Sequence, residues 1–365
     1  MILGILSDTH EDEAGALPHI IEEFRKRKVE KIIHCGDIEE KHLDPKLFGN
    51  LPVICALVDD QVTKERFQVP PEGWDFTKPE DRVRDLTPHE RIYVGHKKSF
   101  DLLRGSEAEL AHGLQKVRMQ YDRIRIITGG HTHHAIYQQG RLISFVNPGA
   151  VTDSFDGHEF AVFDTKTREI VFCRIPRTSP IKDNFSVGVI SDSLNISEMD
   201  PGFWKKLAAE FEKRGVREII HCGNICVNDV GNEALAKFQV HYNLRSDQKV
   251  EKNPDNWHPV VDKSVVEING CRFYIQLDLG AELLEKSEYE MSKLCLSLRR
   301  NHPEIRFVLC GFTSNALYEE GSEMRIVNPG DIITDRNFAV ICLPRTEITF
   351  GHVPVDPLPP LPKVA

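Results

Sequence analysis

No stretch of the 365-residue sequence approaches the roughly 18–20 consecutive apolar residues that a membrane-spanning helix requires. No block of basic residues is present either, and the formal net charge is −10. That balance argues against duplex nucleic acid or an anionic membrane as partner, though not against a phosphate held through a metal ion. Residues 1–6 carry no basic segment and Asp8 follows almost at once, so no secretory leader is expected. The nine cysteines form no C-x-x-C pair and mostly sit in apolar runs, such as Cys35 in IIHCG and Cys310 in FVLCG. They read as reduced core residues of a cytoplasmic protein. The signatures G-x-G-x-x-G, G-x-x-x-x-G-K-[ST] and G-x-S-x-G are missing as well. What is there, 40% apolar and 28% charged, is ordinary globular composition. The length suits two domains of about 180 residues, each able to build its own core.

The chain is written twice. KVEKIIHCGDIE at 28–39 returns as GVREIIHCGNIC at 215–226, and GILSDT from Gly4 returns as GVISDS from Gly188. Residues 91–149 align without a gap on 272–330, with 19 identities in 59 positions. Average residue usage would give roughly 6%, so the repeat is a duplication rather than chance. The boundary falls in PRTSPIKDN, whose proline and polar residues suit a linker. From Val353 onward five prolines predict an extended tail, and their PxxP spacing could recruit a protein partner.

Within the first half, short apolar runs at 2–6, 31–34, 52–57 and 123–128 read as buried strands, and 17–28 and 108–121 as helices. Short strands follow near 135–137, 142–145, 160–163 and 169–173. Early helices and late strands imply a mixed sheet with helices on its outer faces. The residues that end these strands are chemically unusual: Asp8 and His10 in SDTH, Asp37 in HCGD, His131 and His133 in GGHTHH. Carboxylates and imidazoles converging at strand ends are a divalent-metal constellation.

The order DxH, GD, GHxH and NPG resembles the calcineurin-like metallophosphoesterases. The similarity is to their small compact branch, which includes bacterial phosphodiesterases and the scaffold subunit of the retromer coat. The resemblance implies two tandem four-layer α/β/β/α sandwiches: residues 1–177 with a metal site, a linker at 178–185, a degenerate copy at 186–352, and the tail at 353–365. It implies a first metal (Mn, Zn, Fe or Ni) held by Asp8, His10, bridging Asp37 and His133. A second metal would share Asp37 and take His131, but the family's Asn and His ligands align with Val58 and Val94, which offer no lone pair. Asp59 and His96 are the candidates to compensate. Asp60-Gln61 recurs as Asp247-Gln248 and reads as a structural turn.

In the copy, Asp8 is matched by Asp192, but His10 becomes Leu194, Asp37 Asn224, His131 Phe312 and His133 Ser314; Val58 and Val94 become Arg245 and Ile275. The second half therefore keeps the fold without the chemistry. His34 and Asn147-Pro148-Gly149 recur as His221 and Asn328-Pro329-Gly330, which marks them as scaffold, and Ser7 and Ser191 suit turn hydrogen bonds. The expected function is a metal-dependent phosphoesterase acting on a small phosphodiester or phosphomonoester. Asp37 would be central, and His131 would bind a weaker ion or serve as general acid. The alternative is a non-catalytic scaffold of the same fold with a structural metal, its second half presenting a partner surface.

Overall fold

A computed structural model describes residues 1–10, 15–38, 45–57, 71–78, 81–97, 107–140, 143–152, 157–176, 185–244, 250, 252–279, 288–313, 315–320, 324–343 and 345–355. Expectations for Val58, Asp59, Asp60, Gln61, Arg245, Asp247, Gln248, Ser314, most of the linker and the tail beyond Val355 lie outside the described residues.

The first half supplies β1 (Ile2–Leu6), α1 (Ala16–Lys26), β2 (Lys31–His34), α2 (Pro45–Phe48), β3 (Val53–Ala56), β4 (Trp74–Thr77), β5 (Val83–Thr87), β6 (Glu90–Val94), α3 (Glu107–Gln120), β7 (Ile124–Thr128), β8 (Ala135–Gln139), β9 (Ser144–Pro148), β10 (Gly157–Asp164) and β11 (Ile170–Pro176). The second supplies β12 (Phe185–Ile190), α4 (Ile196–Met199), α5 (Phe203–Lys213), β13 (Val216–His221), β14 (Gln239–Asn243), β15 (Trp257–Val260), β16 (Ser264–Ile268), β17 (Cys271–Gln276), α6 (Glu288–Asn301), β18 (Ile305–Cys310), β19 (Leu317–Glu320), β20 (Arg325–Asn328), β21 (Asn337–Leu343) and β22 (Glu347–His352).

Parallel strands β1, β2 and β3 are apolar on both faces because helices cover one side and a second sheet the other. Helix α1 buries the stripe Leu17, Ile20, Ile21 and Phe24. Phe24 lies on Gly4 of β1, where a Cβ would collide with the ring, and Phe211 of α5 lies on Gly188 of β12 in the same way. On the other sheet, Leu114 and Val117 of α3 pack on β7, β8 and β9, and Leu298 of α6 packs on β17 and β18. The layers are therefore helix, sheet, sheet, helix.

Both sheets run through both halves. One has twelve strands in the order β15-β14-β13-β12-β21-β22-β11-β10-β1-β2-β3-β4; the other has ten, β16-β17-β18-β20-β19-β8-β9-β7-β6-β5. Each order is a palindrome of equivalent strands. The halves meet edge to edge through β11 on β22 and β8 on β19, both antiparallel. The registers are self-complementary: Ile170 faces Phe350, Val171 faces Thr349 and Phe172 faces Ile348, while Tyr137 faces Tyr318. A strand meeting its own equivalent about a central pair is the pattern of an isologous two-fold contact. Aromatic rings close this seam, with centroids 5.1 Å apart for Tyr137 and Phe350 and 4.9 Å for Phe172 and Tyr318. The inter-sheet core consequently runs from Leu3 and Ile5 through to Ala339 and Phe350 as one slab, while the clusters beneath the helices each stay within one half. The reason is the seam itself: continuous sheets have continuous inner faces. No described helix is long and apolar enough to cross a membrane.

Candidate metal centre

The chain turns sharply after β1, β2 and β7, and all five residues singled out there have positive φ: Asp8 at 51°, His10 at 38°, Asp37 at 56°, His131 at 75° and His133 at 58°. Left-handed backbone costs a non-glycine residue about 1–2 kcal/mol, and such outliers gather where a site demands a particular side-chain direction. The turns are tied to one another. Asp8 N–H donates to Gly36 O at 3.0 Å and His10 N–H to Asp37 O at 3.1 Å. The His131 N–H donates to the Asp8 carboxylate, 3.0 Å from Oδ2. Thr152 grips the Asp8 carbonyl twice, through N–H at 3.2 Å and Oγ1 at 2.9 Å.

These restraints bring ligand atoms together. His10 Nε2 lies 3.2 Å from His133 Nε2, and His133 Nε2 lies 3.4 Å from Asp8 Oδ1. His10 Nδ1 lies 3.6 Å from Asp37 Oδ1. His96 Nε2 lies 3.8 Å from Asp8 Oδ1 and 3.9 Å from Asp37 Oδ2. Ligand atoms bound at about 2.1 Å to one tetrahedral ion stand about 3.4 Å apart, so the observed spacings fit a cation. Two groups emerge, Asp8–His10–His133 and Asp8–Asp37–His96. Asp8 is common to both, the place that the family resemblance gave to Asp37. His131 stands in neither group; it is exposed, and its ring sits edge-on to His96 with centroids 5.1 Å apart.

Hydrogen bonds assign the imidazole roles. His96 is 2% exposed and its Nδ1 is 3.1 Å from the Cys35 carbonyl, which can only accept. The proton therefore sits on Nδ1 and the Nε2 lone pair faces the two carboxylates, as in ligands oriented by a carbonyl behind them. Burial lowers the His96 pKa, against the pull of Asp8 and Asp37. Burial would raise the fully enclosed Asp8 carboxyl, but the hydrogen bond from His133 and the nearby His96 hold it below the usual range. His34 differs. The Gly36 N–H donates to its Nδ1 at 3.1 Å, so Nε2 carries the proton towards Thr9 Oγ1 at 3.1 Å. Complete burial pushes its pKa down to about 3, and His221 repeats this arrangement with Gly223 and Ser193. Both are neutral struts.

Val94 is fully buried in β6, so the family's ligand position there holds no donor. Of the compensating candidates, Asp59 lies outside the described residues and His96 stands beside Asp8 and Asp37. The signal of His96 in the sequence was its replacement by Leu277 in the copy, where Leu277 fills the space over Gly223 that His96 fills over Gly36. The supporting Thr9 and Thr152 carried no such signal. In the second half the turns persist, with positive φ at Asp192, Asn224 and Phe312. The Asp192 carboxylate is occupied by Asn224 Nδ2 at 2.7 Å and Phe312 N–H at 2.8 Å. Among the described residues both ligand groups belong to the first half.

In comparison with known proteins, residues 1–168 match the Calcineurin-like phosphoesterase superfamily domain. The family read from the motifs is thus the family whose domain matches. A phosphodiesterase of Methanocaldococcus jannaschii is 26% identical over 174 residues, which is 46% of this chain and 96% of that protein. Among solved structures, a novel archaeal phosphodiesterase aligns at 18% identity and TM-score 0.35, covering 48% of this chain and all of that one. A Vps29 variant from Entamoeba histolytica aligns at 15% identity and TM-score 0.33, covering 47% of this chain and 91% of that one.

Proposed function

We propose that residues 1–177 form a metal-dependent phosphoesterase acting on a small phosphodiester or phosphomonoester, and that 186–352 is a duplicated copy without the metal chemistry. The observation that carries this reading is the convergence of Asp8, His10, Asp37, His96 and His133 at cation spacing. A mixed carboxylate and imidazole set suits Mn, Zn, Fe or Ni. A divalent ion bound there would supply Lewis-acid neutralisation of phosphoryl charge and an activated water. Asp8 and His96 line the buried side of the site, while His10, Asp37 and His133 stand at its open side. His131, exposed beside His96, would hydrogen-bond a phosphate oxygen and, when protonated, give its proton to the leaving oxygen. Val94 leaves one family ligand unfilled, so turnover is slow. The duplication is supported by the palindromic strand orders and the self-complementary seam.

The test is hydrolysis of bis-p-nitrophenyl phosphate with added manganese, measured with metal content, in wild type, His133→Ala and Asp37→Asn. Activity in the wild type that both substitutions abolish is expected. Bound metal without hydrolysis under any divalent ion would refute catalysis and favour the scaffold reading, which the buried Val94 supports.

A further inference from the structure

The seam carries buried charge. Arg174 of β11 donates to Glu159 of β10 and, across the seam, to Glu320 of β19; Arg325 Nη2 donates to Glu320 Oε1 at 2.8 Å. All four side chains are buried. Glu159 packs against the turn at 149–150. Its side chain packs so closely on Gly149 that no Cβ fits between them, and its N–H donates to Ala150 O at 3.0 Å. The turn it supports reaches the ligands in two ways. Val151 and Thr152 hold the carbonyls of Ser7 and Asp8. Asn147 Nδ2 donates to Thr132 Oγ1 at 2.8 Å and Gly130 O at 3.3 Å, in the loop that presents His131 and His133.

The other side of the two-fold shows what this arrangement adds. The alignment makes Glu159 equivalent to Asn337, Glu320 to Gln139 and Arg174 to His352. There the cross-seam link is a neutral amide contact, Asn337 Nδ2 to Gln139 Oε1 at 2.9 Å. Each half therefore braces the other's site turn, and the charged brace serves the half with the ligands.

We propose that Glu320, from the half without metal chemistry, is a positioning residue for the metal site of the first half, acting through Arg174 and Glu159 on the 147–152 turn. This rests on the phosphoesterase reading for its consequence in metal affinity, but not for its effect on the turn. The experiment uses the full chain as Glu320→Gln, Glu320→Ala and, as the mirror control, Asn337→Ala. Amide hydrogen exchange is followed in metal-free protein, and manganese affinity by calorimetry. Supporting groups behind metal ligands contribute roughly 10–100-fold in affinity, so both Glu320 variants should weaken manganese binding about tenfold and speed exchange at His131, Val151 and Thr152. Asn337→Ala should do neither, although it also breaks a buried cross-seam contact. Wild-type affinity and exchange in the Glu320 variants, or equal losses in Asn337→Ala, would overturn the proposal. Should Glu320→Ala not fold, the isosteric Glu320→Gln decides. A wild type that binds no manganese would sink the phosphoesterase reading, and the exchange results would still judge the brace.

Discussion

Arg174→Met removes the guanidinium that joins a carboxylate of each half. Arg174 is 7% exposed, Glu159 3% and Glu320 8%, so the solvent cannot screen what is left. Glu320 then keeps Arg325, while Glu159 loses the guanidinium that Arg174 gave it. Removing one partner from a buried ion pair costs about 3–5 kcal/mol, while methionine keeps most of the volume and limits repacking losses to below about 1.5 kcal/mol. The loss depends on pH, and its sign follows from Glu320. Burial, and Glu159 beside it, push the Glu320 carboxyl well above the ordinary glutamate value, with Arg174 opposing them. A carboxyl raised in the folded state releases its proton at higher pH than in the unfolded chain, so the protonated form's contribution is complete below about pH 4.3, the unfolded value, and is lost as pH rises through the folded one. Without Arg174 the carboxyl rises further. Urea unfolding should therefore show a small deficit against wild type near pH 4.5, widening to about 3–5 kcal/mol by pH 7.5. A deficit that is the same at both pH values, or below about 1 kcal/mol at pH 7.5, would refute a buried charge network at the seam.

Two further outcomes follow from the sites themselves. Phe312 holds φ 69° at 56% exposure, with none of the ligand chemistry that its equivalent His131 was expected to bring. Phe312→Gly should stabilise the chain by about 1 kcal/mol, and a lower melting temperature would contradict the reading of a retained, strained turn. Manganese at a hundred times its dissociation constant should raise unfolding free energy by about 2.7 kcal/mol. The rise should be reversed by chelator and be missing in His133→Ala, and a chelator-insensitive melting curve would count against the site.

The candidate metal residues were legible because each ends an apolar strand in a short polar motif, and because the second half matches only Asp8, with Asp192. That contrast singled out His10, Asp37, His131 and His133 and returned His34 to the scaffold, where its paired hydrogen bonds place it. Which of Asp8 and Asp37 stands nearer to both candidate groups depends on the turns after β1 and β2 in space. His96 was one of two compensating candidates; the carbonyl of Cys35 behind it, 61 residues away in sequence, turns its Nε2 inward. The seam was not legible. Residues 169–172 and 347–350 read as strands, but alternation of side chains does not name a strand's partner. Glu159, Arg174 and Glu320 read as charged residues on strands, which solvent would normally claim. Only pairing of β11 with β22 and β8 with β19 encloses them.

That edge-to-edge closure has a consequence for the half without ligands. A sheet that stops at β8 or β11 offers a row of unsatisfied amides and carbonyls flanked by Tyr137, Ile170 and Phe172, an invitation to any passing chain with a similar row. Here the invitation is already answered from within the molecule, by a sequence that matches because it is nearly the same sequence. Deleting residues beyond 184 would reopen two adhesive borders as well as the core behind them. The second half, in which no ligand group is found among the described residues, covers both borders all the same.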